Sequence, residues 1–132
     1  MRRLNSLVLP ILLAAQSTST LAADLNGGWT LDSSACNQIF AKENNKLVFK
    51  PDADLHAGGL IVDGKKIIGT FQKCSVKSLH DDGSKVQVTA ACSDGVAVSD
   101  TTFDVKISGE NNITLSSKEP VPMEMQYVRC PQ

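Results

Sequence analysis

The chain has 132 residues, a length that suits one domain and excludes a two-domain enzyme with its own cofactor-binding fold. Lys and Arg together number 13 against 14 Asp and Glu. The sequence therefore lacks the net positive charge that favours nucleic-acid binding, and no nucleic-acid partner is expected. Hydrophobic residues make up 42% of the chain, which is ordinary for a folded domain and excludes a disordered protein.

The start of the chain is typical of a secretory signal peptide. Arg2 and Arg3 precede an apolar run at residues 7–15, which is followed by a polar stretch and small residues. This run is much shorter than the roughly 20 residues that span a bilayer. We therefore predict a signal peptide over residues 1–23 and a single domain over residues 24–132. The mature protein is predicted to be periplasmic or secreted and not to span the membrane.

The cysteines predict a disulfide framework. All four follow the predicted signal peptide: Cys36, Cys74, Cys92 and Cys130. An even number of cysteines in an oxidising compartment favours two bridges. A hairpin centred on Gly83, in the turn sequence Asp-Asp-Gly-Ser, places Cys74 opposite Cys92, which leaves Cys36 to pair with Cys130. The spacings contain no Cys-x-x-Cys pair, so neither a metal site nor any other cofactor is expected.

The rest of the sequence predicts mostly strands. They fall at residues 28–32, 46–50, 58–62, 66–78, 85–92, 101–108, 113–116 and 123–130, and the only predicted helix covers residues 33–44. Alternation of apolar and polar residues is typical of a half-buried antiparallel sheet, which closes into a barrel or folds into a sandwich. A bridge between Cys36 and Cys130 brings the two ends together and favours the barrel. We predict an all-β fold, a small antiparallel barrel of about eight strands with one short helix after the first strand and two disulfides.

Two short patches resemble a known group of barrels. Residues 27–29 have the form G-x-W, and Arg129 lies near the end of the last predicted strand. This resembles the lipocalins and the wider calycin group. The resemblance implies that Trp29 packs at the closed end of the barrel against Arg129, as a structural pair. Residues 29–36 together with 127–130 also resemble small secreted proteins of alpha-proteobacteria.

A few apolar residues are candidates for lining a pocket. Met123, Met125 and Tyr127 share one face of the last predicted strand, and Phe103 alternates with polar residues on an earlier one. Methionine adapts well to apolar ligands. The interior of an eight-stranded barrel is only wide enough for its own side chains or for one small ligand. An interior filled by side chains is therefore the alternative that the sequence leaves open.

Candidate catalytic residues are few. His56 follows Asp52 in a loop, and His80 lies beside a predicted hairpin tip, but no nucleophile, metal-binding or phosphate-binding motif accompanies them. We therefore expect a protein that is not an enzyme. A sequon at Asn112 allows glycosylation if the host modifies exported proteins.

Basic residues gather around the long predicted hairpin and could attract an anionic partner: Lys65, Lys66, Lys73, Lys77 and Lys85. The leading hypothesis is an exported binding protein that carries a small apolar ligand. The alternative is a protein-interaction module, such as an inhibitor of a secreted hydrolase or a structural factor of the envelope. Its partner would be an envelope or secreted protein, contacted through the loop at residues 51–59 or the tip at residues 81–84.

Overall fold

The computed structural model describes residues 24–56, 58–119 and 121–131, so the predicted signal peptide lies outside the described residues. Within these residues the chain forms ten strands and one short α-helix. The strands are β1 (Gly27–Thr30), β2 (Phe40–Glu43), β3 (Lys46–Phe49), β4 (Gly59–Asp63), β5 (Lys66–Gly69), β6 (Lys73–Asp81), β7 (Lys85–Ser93), β8 (Val98–Gly109), β9 (Asn112–Ser117) and β10 (Met123–Arg129). Helix α1 (Cys36–Ile39) follows a 3-10 turn at Ser33–Ala35, and a second 3-10 turn covers Ala53–Leu55.

Eight of these strands close into an antiparallel barrel in the order β1-β10-β9-β8-β7-β6-β5-β4. Strand β1 completes the ring because it pairs on both sides, so that Trp29 lies between Arg129 of β10 and Leu60 of β4. This confirms the predicted fold class, including the short helix after the first strand. No helix in the described part of the chain has the length and apolar character needed to cross a membrane.

The barrel has eight strands, as predicted, but they are not the same eight segments that the sequence predicted. The predicted strand at residues 46–50 lies outside the barrel, where β3 pairs with β2 as a separate hairpin. The predicted strand at residues 66–78 is two strands, because a turn closed by Gly69 N–H donating to Gln72 O (2.7 Å) separates β5 from β6. As a result Ile67 pairs with Cys74 and shares its face.

The predicted helix at residues 33–44 ends at Ile39. The chain turns back at Asn44 and Asn45, both of which have positive φ angles (51° and 63°). Asparagine tolerates this left-handed backbone better than most residues, so the pair makes the β2–β3 turn. Pairing of Phe40 with Phe49 then holds the hairpin, with ring centroids 5.4 Å apart.

The helix and this hairpin pack on the outside of β1, β4 and β5. The buried residues of this outer cluster are Ala35, Ile39, Phe40, Ala53, Ile61 and Cys130. The layers approach closely because glycines face the interface. A Cβ atom on Gly59 would lie 2.8 Å from the backbone oxygen of Trp29, and one on Gly28 would lie 2.8 Å from a methyl group of Leu47. The outer cluster is therefore a tightly packed core.

Both predicted disulfides are present. Cys74 and Cys92 are direct partners across β6 and β7 with Cα atoms 4.0 Å apart, and Cys36 is bonded to Cys130 with Cα atoms 5.7 Å apart. Near the hairpin tip the pairing is shifted by one residue from the predicted register, and a bulge at Lys77 restores that register at the cysteines. Two formed bridges are consistent with an oxidising, exported location.

Candidate functional site

The inward side of the barrel wall is almost entirely apolar. Alternate residues of each strand point inward and form an inner cluster. Its buried members are Trp29, Val86, Val88, Ala90, Cys92, Val105, Ile113 and Tyr127. Its partly buried members are Leu25, Leu60, Val62, Ile67, Cys74, Val76, Phe103, Leu115 and Met125. More than half of these inner side chains keep some solvent access, because the barrel interior is not filled.

An internal cavity of about 480 Å³ occupies this space. Its wall includes Leu60, Val62, Ile67, Cys74, Val76, Leu79, Val88, Cys92, Phe103, Val105, Ile113, Leu115, Met123 and Met125. Among the described residues of the wall, Phe103 alone is aromatic. Small-molecule sites commonly enclose about 300 to 1,000 Å³, so this cavity has the size of a ligand site.

Trp29 and Arg129 pack together where β1 pairs with β10. Trp29 is fully buried, and its indole N–H donates to the backbone oxygen of Leu25 at 2.9 Å. The guanidinium of Arg129 lies 4.5 Å from the centre of the Trp29 ring, a cation–π contact. The same guanidinium donates to the backbone oxygens of Asn26 (2.8 Å) and Glu110 (3.3 Å). Trp29 and Arg129 thus form the contact that the sequence resemblance implies.

Three of the four predicted lining residues lie on the cavity wall, namely Phe103, Met123 and Met125. Tyr127 instead packs among the buried residues of the inner cluster, where its hydroxyl lies 3.8 Å from the sulfur of Met125. Burial raises the pKa of Tyr127. The sequence reasoning missed most of the aliphatic wall, although the period-two alternation of β6 to β9 carries that signal.

A second, polar cavity lies on the outside of β8. Strand β9 pairs with β8 only from Asp104 to Gly109, so no described strand pairs with residues 98–103 on that side. This side groove has a volume of about 580 Å³. It is lined by Gln87, Ser99, Asp100, Thr101, Thr102, Phe103, Asp104, Ser116, Ser117, Lys118 and Glu119. Four of these residues also line the internal cavity, namely Thr101, Phe103, Ser116 and Ser117. The two cavities therefore share one wall.

Ion pairs partly neutralise the predicted basic patch. Lys77 Nζ lies 2.9 Å from a carboxylate oxygen of Asp100, and Lys85 Nζ lies 3.8 Å from one of Asp104. These two lysines flank the side groove from β6 and β7. Their charges are matched by the two aspartates that line the groove.

The structure does not bring the candidate catalytic histidines together. His56 Nε2 lies 4.0 Å from the carboxylate of Asp52, just before β4 begins. His80 pairs with Gln87 near the far end of β6. Strands β4 and β6 run in the same direction, because each is antiparallel to β5. The start of β4 and the end of β6 therefore lie at opposite ends of the barrel. Among the described residues, no group of three His, Cys, Asp or Glu side chains is placed to hold a metal ion.

The fold and the cavity define the class of protein: a small eight-stranded antiparallel barrel with an apolar internal cavity, compatible with a lipocalin-like fold. Comparison of the chain with protein-family models, with curated proteins and with solved structures returned no match.

Proposed function

We propose that this protein is an exported, non-enzymatic binding protein that holds one small apolar ligand inside its barrel. The observation that carries the proposal is the internal cavity of about 480 Å³ with its aliphatic wall. Moving apolar surface out of water yields about 25 cal/mol per Å², so a ligand that fills this space gains affinity from burial alone. Empty apolar cavities also take up apolar molecules readily.

The charge distribution supports binding over catalysis. Among the described residues of the cavity wall, Asp24 and Lys65 alone carry charge, and both are exposed. Cys74 and Cys92 reach the wall as a disulfide and offer no thiol nucleophile. General acid–base chemistry needs a titratable group within reach of the substrate. The apolar interior recognises a ligand by shape and hydrophobicity.

A cavity-filling variant tests the proposal. In Val76→Phe the added ring occupies the cavity, whereas in the control Val98→Phe it enters solvent, because Val98 is 72% exposed. The probe is N-phenyl-1-naphthylamine, an uncharged dye whose fluorescence rises in apolar surroundings. We expect the parent protein and Val98→Phe to bind the dye equally. We expect Val76→Phe to bind it at least about tenfold more weakly, a difference of roughly 1.4 kcal/mol.

Equal dye binding by both variants, or none by the parent protein, would contradict the proposal. Native mass spectrometry of protein purified from its own host provides a second readout. A bound mass that leaves on denaturation supports a carried ligand and gives its size.

One observation favours the alternative, a protein-interaction module. Large exposed apolar side chains gather at the barrel end where β5 turns into β6 and β7 into β8: Leu31, Phe71, Val96, Val98, Val121 and Met123. Phe71 and Val96 are 74% and 95% exposed. The predicted tip at residues 81–84 lies at the other end and is polar.

The double variant Phe71→Ser, Val96→Ser tests this second candidate, with Ile107→Ser near the opposite end as the control. Each protein is used as bait for envelope extracts, and dye binding is measured in parallel. A partner that the double variant loses and the control keeps supports the interaction module. If the double variant captures the same proteins as the parent, these tips are not the contact surface.

A further inference from the structure

We propose that the ligand is a single-chain amphiphile whose apolar tail lies in the internal cavity and whose uncharged, hydroxyl-bearing head lies in the side groove. This inference rests on the proposed function and specifies its ligand class. It requires a passage between the internal cavity and the side groove beside β8 and β9, an apolar interior, and a groove that accepts hydroxyl groups and offers anions no net attraction.

The passage follows from the unequal lengths of two neighbouring strands. Strand β8 has 12 residues and β9 has six, and their pairing begins only at Asp104 opposite Ser116. Beyond that point β9 continues along β10, with Ser117 opposite Met123, while β8 continues along β7. Residues 98–103 of β8 therefore have no partner strand on the β9 side among the described residues, and this gap in the pairing is where the linings of the two cavities overlap.

The residues at this gap belong to both cavities. Thr101 and Phe103 on β8 and Ser116 and Ser117 on β9 line the internal cavity and the side groove alike. All four are half-buried, so none is sealed inside the wall. Three are small hydroxyl residues, and Phe103 is the one bulky side chain at the crossing. A narrow alkyl chain can cross such a gap, with its tail inside the barrel and its head outside.

The two cavities differ sharply in chemistry. The internal cavity is walled mainly by aliphatic side chains, which suits a hydrocarbon tail. The side groove is lined by five hydroxyl side chains: Ser99, Thr101, Thr102, Ser116 and Ser117. Each hydroxyl can donate one hydrogen bond and accept others, so the groove complements a head that does the same.

The charges in and around the groove balance, so they offer an anionic head no net attraction. Three carboxylates line it, from Asp100, Asp104 and Glu119, against one ammonium, from Lys118. Lys77 and Lys85 lie nearby, but their charges already balance two of the aspartates. Three carboxylates thus stand against three ammonium groups, so an anionic head would lose its hydration without a net Coulomb attraction in return. An uncharged glycerol-type head meets no such penalty.

The test compares two amphiphiles that share one tail. The ligands are 1-monododecanoylglycerol and dodecanoate, each titrated against protein saturated with N-phenyl-1-naphthylamine, below the concentration at which either forms micelles. We expect the monoglyceride to displace the dye at least about tenfold more effectively than the anion, a difference of roughly 1.4 kcal/mol. Equal displacement by both ligands, or stronger displacement by dodecanoate, would overturn the assignment of the head.

Two variants test the groove itself. Thr102 lines the side groove and not the internal cavity, so Thr102→Trp obstructs the head site alone. We expect this variant to bind the dye as before and the monoglyceride several-fold more weakly. Gln126→Trp is the control, because Gln126 is exposed on β10 and lines neither cavity. Unchanged monoglyceride binding by Thr102→Trp would overturn the placement of the head.

The charge variant Asp100→Asn, Glu119→Gln leaves the size of the groove nearly unchanged. It should strengthen dodecanoate binding and leave monoglyceride binding as it is, so that the preference between the two ligands shrinks. A preference that stays the same would show that these carboxylates do not select the head. If the parent protein did not bind the dye at all, the proposed function would be overturned. If it bound the dye but showed no preference between the two ligands and no effect of the groove variants, only the assignment of the head group would be overturned.

Discussion

The two faces of one barrel wall carry cores of opposite character. On the outer face of β5, Ile68 packs against the outer cluster, where Ile39 is completely buried. One residue earlier, Ile67 points into the internal cavity and stays partly exposed. The aromatic pair Phe40 and Phe49 lies on the outer side. The difference teaches that one strand contacts a packed layer on its outer face and borders the internal cavity on its inner face.

The largest expected effect is the loss of the bridge that fastens the outer layer to the barrel. Cys36 and Cys130 are 94 residues apart, whereas Cys74 and Cys92 in the inner wall are 18 apart. The chain-entropy model gives about 4 to 5 kcal/mol for the longer loop and about 3 kcal/mol for the shorter one. We expect the double Cys→Ser change at 36 and 130 to lower the free energy of unfolding more than the same change at 74 and 92.

Urea denaturation followed by the fluorescence of Trp29, the single tryptophan, measures both losses. The intact protein under the same conditions is the reference. A greater loss from the inner bridge would show that the barrel interior, and not the outer layer, dominates stability.

The same substitution on the two faces compares the cores directly. Ile39→Ala removes a side chain with no solvent exposure from a packed cluster, and such changes cost about 2 to 5 kcal/mol. Ile67→Ala removes a side chain that already borders an open cavity. We expect it to cost less than half as much, and to enlarge the internal cavity. Urea midpoints give both values, and equal losses would mean that the interior is packed as tightly as the outer cluster.

Two glycine-to-alanine substitutions test the same difference by adding a methyl group, one in the outer cluster and one beside the internal cavity. In Gly59→Ala the new methyl would lie 2.8 Å from the backbone oxygen of Trp29 and 3.0 Å from the ring of Phe40. Overpacking of this kind costs about 1 to 3 kcal/mol. Gly69 borders the internal cavity, and a methyl there would lie 3.4 Å from the nearest atom, the backbone oxygen of Gln72. We expect Gly69→Ala to change the thermal midpoint little. A larger drop there than for Gly59→Ala would contradict the proposed difference between the faces.

The sequence predicted the barrel better than its outer layer. Strict alternation around Phe103 identified β8, and the turn at Gly83 located the pairing of Cys74 with Cys92 because the bulge at Lys77 happened to restore that register. The outer hairpin was missed because the helix predicted over residues 33–44 covered the two asparagines that make its turn. Local patterns identify strands, but they do not say which sheet a strand joins.

The state of the interior was left open by the sequence for a similar reason. Composition shows few aromatic residues, but it does not say which face of the wall they occupy. The side groove was not predictable at all from local signals. It arises from the unequal lengths of β8 and β9, and so from pairing between residues distant in the chain.

The smallest expected effect concerns pH, and it distinguishes the outer layer from the barrel turns. Hydrogen bonds from the side chain and backbone of Ser34 lower the pKa of Asp32, at the start of the outer layer. Backbone N–H groups of Ala97 and Val96 lower the pKa of Asp94, in the β7–β8 turn.

A carboxyl whose pKa is lower in the folded state than its unfolded value of about 3.9 stabilises the fold above that pH, and the stabilisation is lost as the pH falls through the folded pKa. Because both groups lie on the surface, each contribution is small. We expect Ser34→Ala, which removes the hydroxyl donor and keeps the carboxylate, to weaken the acid sensitivity of the urea midpoint between about pH 5 and pH 2. Asp94→Asn should do the same from the barrel side. If Asp94→Asn alone flattened the profile, the outer layer would contribute nothing to acid sensitivity, and its stability would come from packing and the disulfide alone.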